Sequence, residues 1–186
     1  DVAMEPRIYA SLSLSKSYQF EPLPAGVDAK YIKGGQANLW TEQIYNMRHA
    51  EYMTFPRALA ISESVWSPAD KKNWNHFFTK VETHFARLDE AEIKYAPSVY
   101  EPTFKVSQDN NGALKIEMQT EANDVTIHYT FDNSFPDNFY PVYKEPLVAP
   151  KDAVMLRVVT YRGKQQMGRL ISVPIANLEQ RLPKKK

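Results

Sequence analysis

Two side chains in the stretch "GGQANLWTEQ" (34–43) stand out as able to do chemistry together: Trp40 and Glu42, two residues apart. In an extended strand, side chains at i and i+2 share a face. An apolar plate would then project beside a group that only accepts hydrogen bonds. That pairing suits a sugar, with its apolar C–H face and its rim of hydroxyl donors. It also suits an ordinary strand end, with Trp40 in a core or interface and Glu42 capping the next helix. Leu39 reads as buried.

The remaining candidates read more simply. The one Asp-Glu dipeptide, Asp89-Glu90, closes an amphipathic helix in "ARLDEAE", where charges are solvated. Arg57, in "FPRALA", reads as one half of a structural ion pair with Glu63, arginine being well suited to such pairing. His49, His76, His84 and His128 have no metal-site spacing; His76 and His84 could share a helix face but lack a third ligand. With no cysteine in the chain, a thiolate nucleophile, a disulfide and a Cys-based metal site are excluded. No metal and no cofactor are expected. Tyr129, Phe139, Tyr140 and Tyr143 read first as packing in and around a sheet, and second as an aromatic platform for a glycan.

The 186 residues are 43% hydrophobic and 12% aromatic, ample for a core and for one or two domains. Lys and Arg number 23 against 22 Asp and Glu. A nucleic-acid binder usually shows a strong basic excess, so no nucleic acid is expected as partner. The closing Lys184, Lys185 and Lys186 read as a solvated tail. No apolar run approaches the roughly 18 residues of a membrane span.

The elements that must position these residues change character along the chain. Residues 1–30 are punctuated by Pro6, Pro22 and Pro24 and read as irregular, with a short helical turn around Leu12 to Tyr18. "AKYIKGGQANLW" reads as a strand, and Gly34 and Gly35 mark a bend or a close approach. Residues 46–66 read as helix in two pieces, Pro56 either opening the second or kinking a longer one. "SPAD" supplies the start signal of a third helix. It carries Trp74, Phe77, Phe78, Val81, Phe85 and Leu88 on one face and ends before Pro97.

Beyond Pro97 the period becomes two: "TFKVSQ", "ALKIEMQ", "VTIHYTF", "AVMLRVVTY" and "LISVPI" alternate or are β-branched, with "DNNG" (109–112) as a hairpin turn. Such short strands predict a small antiparallel sandwich. The boundary falls near residues 94–98. One strand with about three helices cannot bury that strand, so the first half reads as the end of something larger.

At this point "GGQANLWTE" followed by "AEYMTFPRALAISESVWSP" resembles the last barrel unit of family-20 glycoside hydrolases, the β-N-acetylhexosaminidases. "YQFEPLPAG" is similar to the approach to that strand, and "FFTKVETHFARLDEAEIKYAP" to the helix leaving the barrel. The segment from "VTIHYTF" to "LISVPI" resembles the β-sandwich module often appended to these enzymes. The resemblance implies a fold of class α/β plus all-β. Residues 1–95 would be the terminal segment of a (β/α)8 TIM barrel and 96–186 a fibronectin-III-like sandwich. A whole barrel needs about 250 residues, more than this chain offers before its sandwich.

The family is implied to cleave terminal N-acetylhexosamine by substrate-assisted retaining hydrolysis. The substrate's acetamido oxygen attacks the anomeric carbon, a Glu acts as general acid and an Asp orients the acetamido group. By the same resemblance Trp40 matches the tryptophan walling the sugar pocket, and Glu42 the carboxylate gripping the sugar's outer hydroxyls. Replacing Glu42 in the intact enzyme would then weaken sugar binding by a few kcal/mol at most. No catalytic residue is assigned in this chain, because the family's Asp-Glu pair follows its fourth strand. Nor do Tyr9 and Tyr18 have the surroundings of the family's catalytic tyrosine.

The chain alone is therefore expected to be inactive. Expected partners are N-acetylhexosamine-terminated glycans and the remainder of the barrel. A second copy docking on the unpaired strand edge would give a dimer. A periplasmic or secreted location is implied by the resemblance only. The alternative is an autonomous, non-catalytic carbohydrate-binding or structural module.

Overall fold

The computed structural model describes residues 12–183, in two compact units, Asp1–Ala96 and Pro97–Lys186. The first unit is helical: α1 (Leu14–Tyr18), α2 (Met47–Thr54), α3 (Arg57–Trp66) and α4 (Trp74–Glu90). Three helix starts are capped by short polar side chains, which satisfy amides that have no partner within the helix. Ser13 accepts from the Lys16 amide, Asn46 from the His49 amide and Asn73 from the His76 amide. Of the two readings of Pro56, the structure takes the helix break. The Phe55 amide closes α2 on Glu51 O, and Pro56 O accepts from Leu59 to open α3.

α4 carries the apolar stripe its spacing predicts. Phe77, Phe78, Val81, Phe85 and Leu88 are buried, while Trp74 is half-buried. Burying one such side chain contributes roughly 1.5–3 kcal/mol. Its start differs from the expectation. "SPAD" forms a separate 3₁₀ turn, Ala69–Lys71, and Asn73 caps the helix. Its end lies well before Pro97: Glu92 turns left-handed at φ +55°, and the Ile93 amide donates back to Leu88 O. The expected Arg57–Glu63 pair is not formed. Six positions apart on one helix, the two side chains point to different sides. Arg57 donates to Leu12 O (2.6 Å) and Met53 O, while Glu63 takes Lys80 at 3.0 Å.

The largest departure is the strand expected over Ile32–Trp40. The described chain makes a 3₁₀ turn at Ala29–Tyr31, then runs without ladder pairing to Trp40. A strand is held by its neighbour's backbone groups, and among the described residues no strand pairs with this segment. Leu39, expected buried, is 38% exposed.

The second unit is an antiparallel two-sheet structure. One sheet has the order β1 (Thr103–Gln108), β2 (Leu114–Gln119), β4 (Leu147–Val148). In the other, β3 (Thr126–Thr130) pairs with one edge of β5 (Met155–Arg162). The opposite edge of β5 takes β7 (Ile171–Pro174) near its start and β6 (Gln165–Gln166) near its end. The "DNNG" turn joins β1 to β2: the Asp109 carboxylate accepts from the Asn111 and Ala113 amides at 2.8 Å, and Gly112 takes φ +80°.

Leu114, Ile116 and Met118 alternate inward along β2, as period two requires. They meet Ile127, Leu156, Val158 and Val173 of the other sheet in one apolar cluster. The short helix α5 (Ile175–Glu179) adds Ile175 and Leu178 to that cluster.

Candidate functional site

The segment bearing Trp40 and Glu42 is anchored from behind by α1, α3 and α4. The Tyr18 ring is stacked on Phe77 (centroids 4.5 Å apart, 18° between planes) and meets Trp74 edge-on at 5.6 Å. Ser64, buried on α3, donates its hydroxyl to Tyr18 O at 3.1 Å. Lys72 Nζ donates to Phe20 O and to the Ser64 hydroxyl, both at 3.2 Å, and lies 4.9 Å from the Tyr18 ring centroid. The residues following α1 are thus tied to α3 and to the start of α4.

Phe20 then decides where the glycines go. A Cβ on Gly35 would sit 2.8 Å from Phe20 and 2.8 Å from Val65, closer than real Cβ contacts come. The backbone at Gly35 therefore lies directly against both side chains, a position only glycine fills without displacement. This is the close approach that the glycine pair suggested.

Beyond that anchor the chain is outside. Gln36 Nε2 donates to Asn38 Oδ1 (2.6 Å), and Trp40 is 70% exposed. The amide of Ile44 donates to Thr41 O at 3.0 Å, closing a turn that carries Glu42. Glu42 is exposed, and its carboxylate has no hydrogen bond or ion pair among the described residues. The Asn46 cap of α2 ends the arm, with His49 buried behind it and its ring stacked on Tyr45 at 5.8 Å. Trp40 and Glu42 thus sit on one exposed arm held at both ends, rather than on a common strand face. Such a large aromatic left in water is informative. Tyr31, Tyr45, Met47 and Trp66 are also more than 70% exposed in this unit.

The other candidates are absorbed by structure. Asp89 accepts from the Tyr95 hydroxyl at 3.2 Å at the exposed end of α4. Burial, and then the charge of Asp89, push the Tyr95 phenol up to about 12. Tyr18 is buried, and desolvation first, then the Glu63 charge, raise its phenol. Tyr9 lies outside the described residues.

His128 is buried in the sandwich with both ring nitrogens engaged, by Tyr140 O at 2.8 Å and the Thr126 hydroxyl at 3.1 Å. No group of three or more His, Asp or Glu side chains arranged to hold a metal occurs among the described residues. Of the aromatic residues of the sandwich, Tyr129 and Tyr143 pack against the core, Tyr140 is half-buried and Phe139 is 89% exposed.

One feature escaped the sequence. The ends of β2 and β3 and the segment at Val142–Tyr143 enclose an open hollow on the sandwich. Its lining comes from two stretches of the chain, residues 118–127 and 142–143, brought together only by the fold.

Comparison with known proteins gives this arrangement its class. Residues 3–69 match the model of the glycosyl hydrolase family 20 catalytic domain, and residues 116–173 match an Fn3-associated model. The chain belongs to glycosyl hydrolase family 20 through the first of these stretches. A beta-hexosaminidase of Porphyromonas gingivalis is 31% identical over 179 residues, covering 93% of this chain and 23% of that protein. An Akkermansia muciniphila beta-hexosaminidase is 34% identical over 74 residues, 39% of this chain and 15% of that protein. The N,N'-diacetylchitobiase of Vibrio harveyi is 27% identical over 143 residues, 62% of this chain and 15% of that protein. The chain thus spans less than a quarter of the length of each of these relatives.

Proposed function

We propose that this chain is the C-terminal part of a β-N-acetylhexosaminidase that removes terminal N-acetylhexosamine by substrate-assisted hydrolysis. In this reading residues 1–95 are the closing segment of a (β/α)8 barrel and 96–186 an appended fibronectin-III-like sandwich. Trp40 packs on the apolar face of the bound sugar. Glu42 accepts hydrogen bonds from its outer hydroxyls, and bonds to a charged acceptor are the stronger kind. The acid and the acetamido-orienting carboxylate come from the remainder of the barrel.

The observation that carries this reading is the arm itself. Within a stretch matching the family's catalytic domain, a tryptophan 70% exposed stands two residues from an exposed carboxylate without a partner among the described residues. Both side chains are left available, and the backbone of 33–40, with no backbone hydrogen bond among the described residues, is open to a neighbouring barrel strand. Two proteins test this with a chromogenic N-acetyl-β-glucosaminide: the 186-residue chain, and the same chain extended upstream through the rest of the barrel. The extended protein is expected to turn over and the shorter chain not. Turnover by the shorter chain alone would overturn the assignment of the catalytic pair to the rest of the barrel.

A further inference from the structure

The hollow on the sandwich measures about 370 Å³, at the lower end of small-ligand sites, which run from about 300 to 1,000 Å³. None of its ten lining residues is Asp, Glu, Lys, Arg or His. A phosphate, a carboxylate or a cationic ligand would find no opposite charge there, and burying an unpaired charge is costly. The lining instead mixes amides and hydroxyls (Gln119, Thr120, Asn123, Thr126) with apolar Val125 and Val142. The Gln119 carboxamide is exposed and has no partner among the described residues.

The backbone around the hollow is closed to an added strand. The outer edge of β3 is covered by residues 141–143, with the Tyr143 amide donating to Ile127 O (2.7 Å) and the Tyr129 amide to Pro141 O (3.3 Å). On β2 the Met118 amide is taken by the Tyr143 hydroxyl at 3.0 Å. An extended peptide docking by strand addition needs such an edge free. A ligand here must be recognised by side-chain donors and acceptors beside small apolar surfaces.

We infer that this hollow binds a neutral saccharide, making the sandwich a second carbohydrate contact separate from the Trp40 arm. Sugar hydroxyls both donate and accept, as the Gln119 carboxamide does, while the Thr120 hydroxyl, bonded to Ala122 O (2.7 Å), and the Thr126 hydroxyl, bonded to His128 Nε2 (3.1 Å) and Tyr161 O (3.3 Å), offer lone pairs. Val125 and Val142 offer a surface for a sugar C–H face or for an acetamido methyl group. The lining chemistry carries this without the hydrolase reading; only the choice of an N-acetylated probe rests on that reading.

The test is an amide-resolved NMR titration of the whole 186-residue chain with tri-N-acetylchitotriose and, separately, with cellotriose. Saturable shifts are expected at the amides of residues 118–126 and 142–143 with at least one of the two sugars. Gln119→Ala removes an exposed side chain that makes no hydrogen bond among the described residues and should weaken that binding at least threefold. Val142→Asp, which puts a charge into the neutral lining, should abolish it, while Trp40→Ala should leave it unchanged. The inference is overturned if neither sugar shifts these amides, if Gln119→Ala and Val142→Asp bind as the unaltered chain does, or if every shift falls within 34–43 and vanishes with Trp40→Ala. That last result would leave the proposed role of Trp40 intact.

Discussion

Replacing Tyr18 with Ala removes the ring that joins α1 to the start of α4. Tyr18 is 7% exposed, stacked on Phe77 at 4.5 Å, edge-on to Trp74 at 5.6 Å and approached by Lys72 at 4.9 Å. Truncating a buried aromatic to Ala costs about 3–5 kcal/mol, which already contains the aromatic pair contribution of about 0.5–1.5 kcal/mol. All three tryptophans, Trp40, Trp66 and Trp74, lie in the first unit, so tryptophan fluorescence during urea unfolding reports that unit alone. With a urea slope of about 1–3 kcal/mol/M, the midpoint should fall by at least about 1 M. Tyr18→Phe separates the ring from its hydroxyl. That hydroxyl is buried and, among the described residues, meets no partner in good hydrogen-bond geometry, the Asn73 amide offering only a weak interaction, so its loss should change stability by less than about 1 kcal/mol in either direction. If Tyr18→Phe lowers the midpoint as far as Tyr18→Ala does, the ring packing is not what holds α1, and the reasoning fails.

Three further outcomes follow from the same structure. Thr160, fully buried, accepts from the Gly168 amide (2.9 Å) and donates to Tyr100 O (2.7 Å); Thr160→Val should cost about 2–4 kcal/mol by calorimetry and speed hydrogen exchange at Gly168. The hydroxyls of Ser134 and Thr130 donate to the Asp132 carboxylate and hold it down at about 2. Its folded value thus lies below the unfolded one, so its contribution is present above pH 4 and lost as the pH falls toward 2. Asp132→Asn should flatten that acid decline in a pH series of thermal melts. Tyr95, raised to about 12, keeps its proton when the unfolded phenol has released its own near 10, so stability drains between pH 10 and 12. Tyr95→Phe should remove that loss, read from alkaline melts together with the phenolate absorbance.

The readable parts of the sequence were those where one period governs one surface. β2 alternates Leu114, Ile116 and Met118 into a core supplied by the chain itself, and α4 repeats its apolar residues at helical spacing, so burial follows pattern in both. The proline break at Pro56 was legible because a missing amide acts locally. Illegible features depended on partners. Ile32–Trp40 has strand-like composition, yet a ladder needs a neighbour, and the alternation of one segment cannot say whether the described chain contains it. Arg57 and Glu63 looked complementary in sequence, but the turn of α3 separates them, and Lys80 from α4 takes the carboxylate. The α4 start went to Asn73 rather than "SPAD" because two polar starts lay close together and one of them closed a 3₁₀ turn. Of the site, Trp40 and Glu42 were visible as residue types and as a family motif. Their location on an exposed arm depended on Gly35 lying against Phe20 and Val65, a contact no spacing rule encodes.

The central claim is that Trp40 and Glu42 grip the sugar and do not break the bond. Steady-state hydrolysis of an N-acetyl-β-glucosaminide by the protein carrying the complete barrel tests it directly, with Trp40→Ala and Glu42→Gln compared against the unaltered enzyme. The account predicts a kcat/KM at least tenfold lower for each variant, about 1.4 kcal/mol or more of lost transition-state stabilisation, with residual turnover and an unchanged pH profile. Variants that keep the full kcat/KM, or that lose all turnover together with the basic or acidic limb of the pH profile, would contradict it.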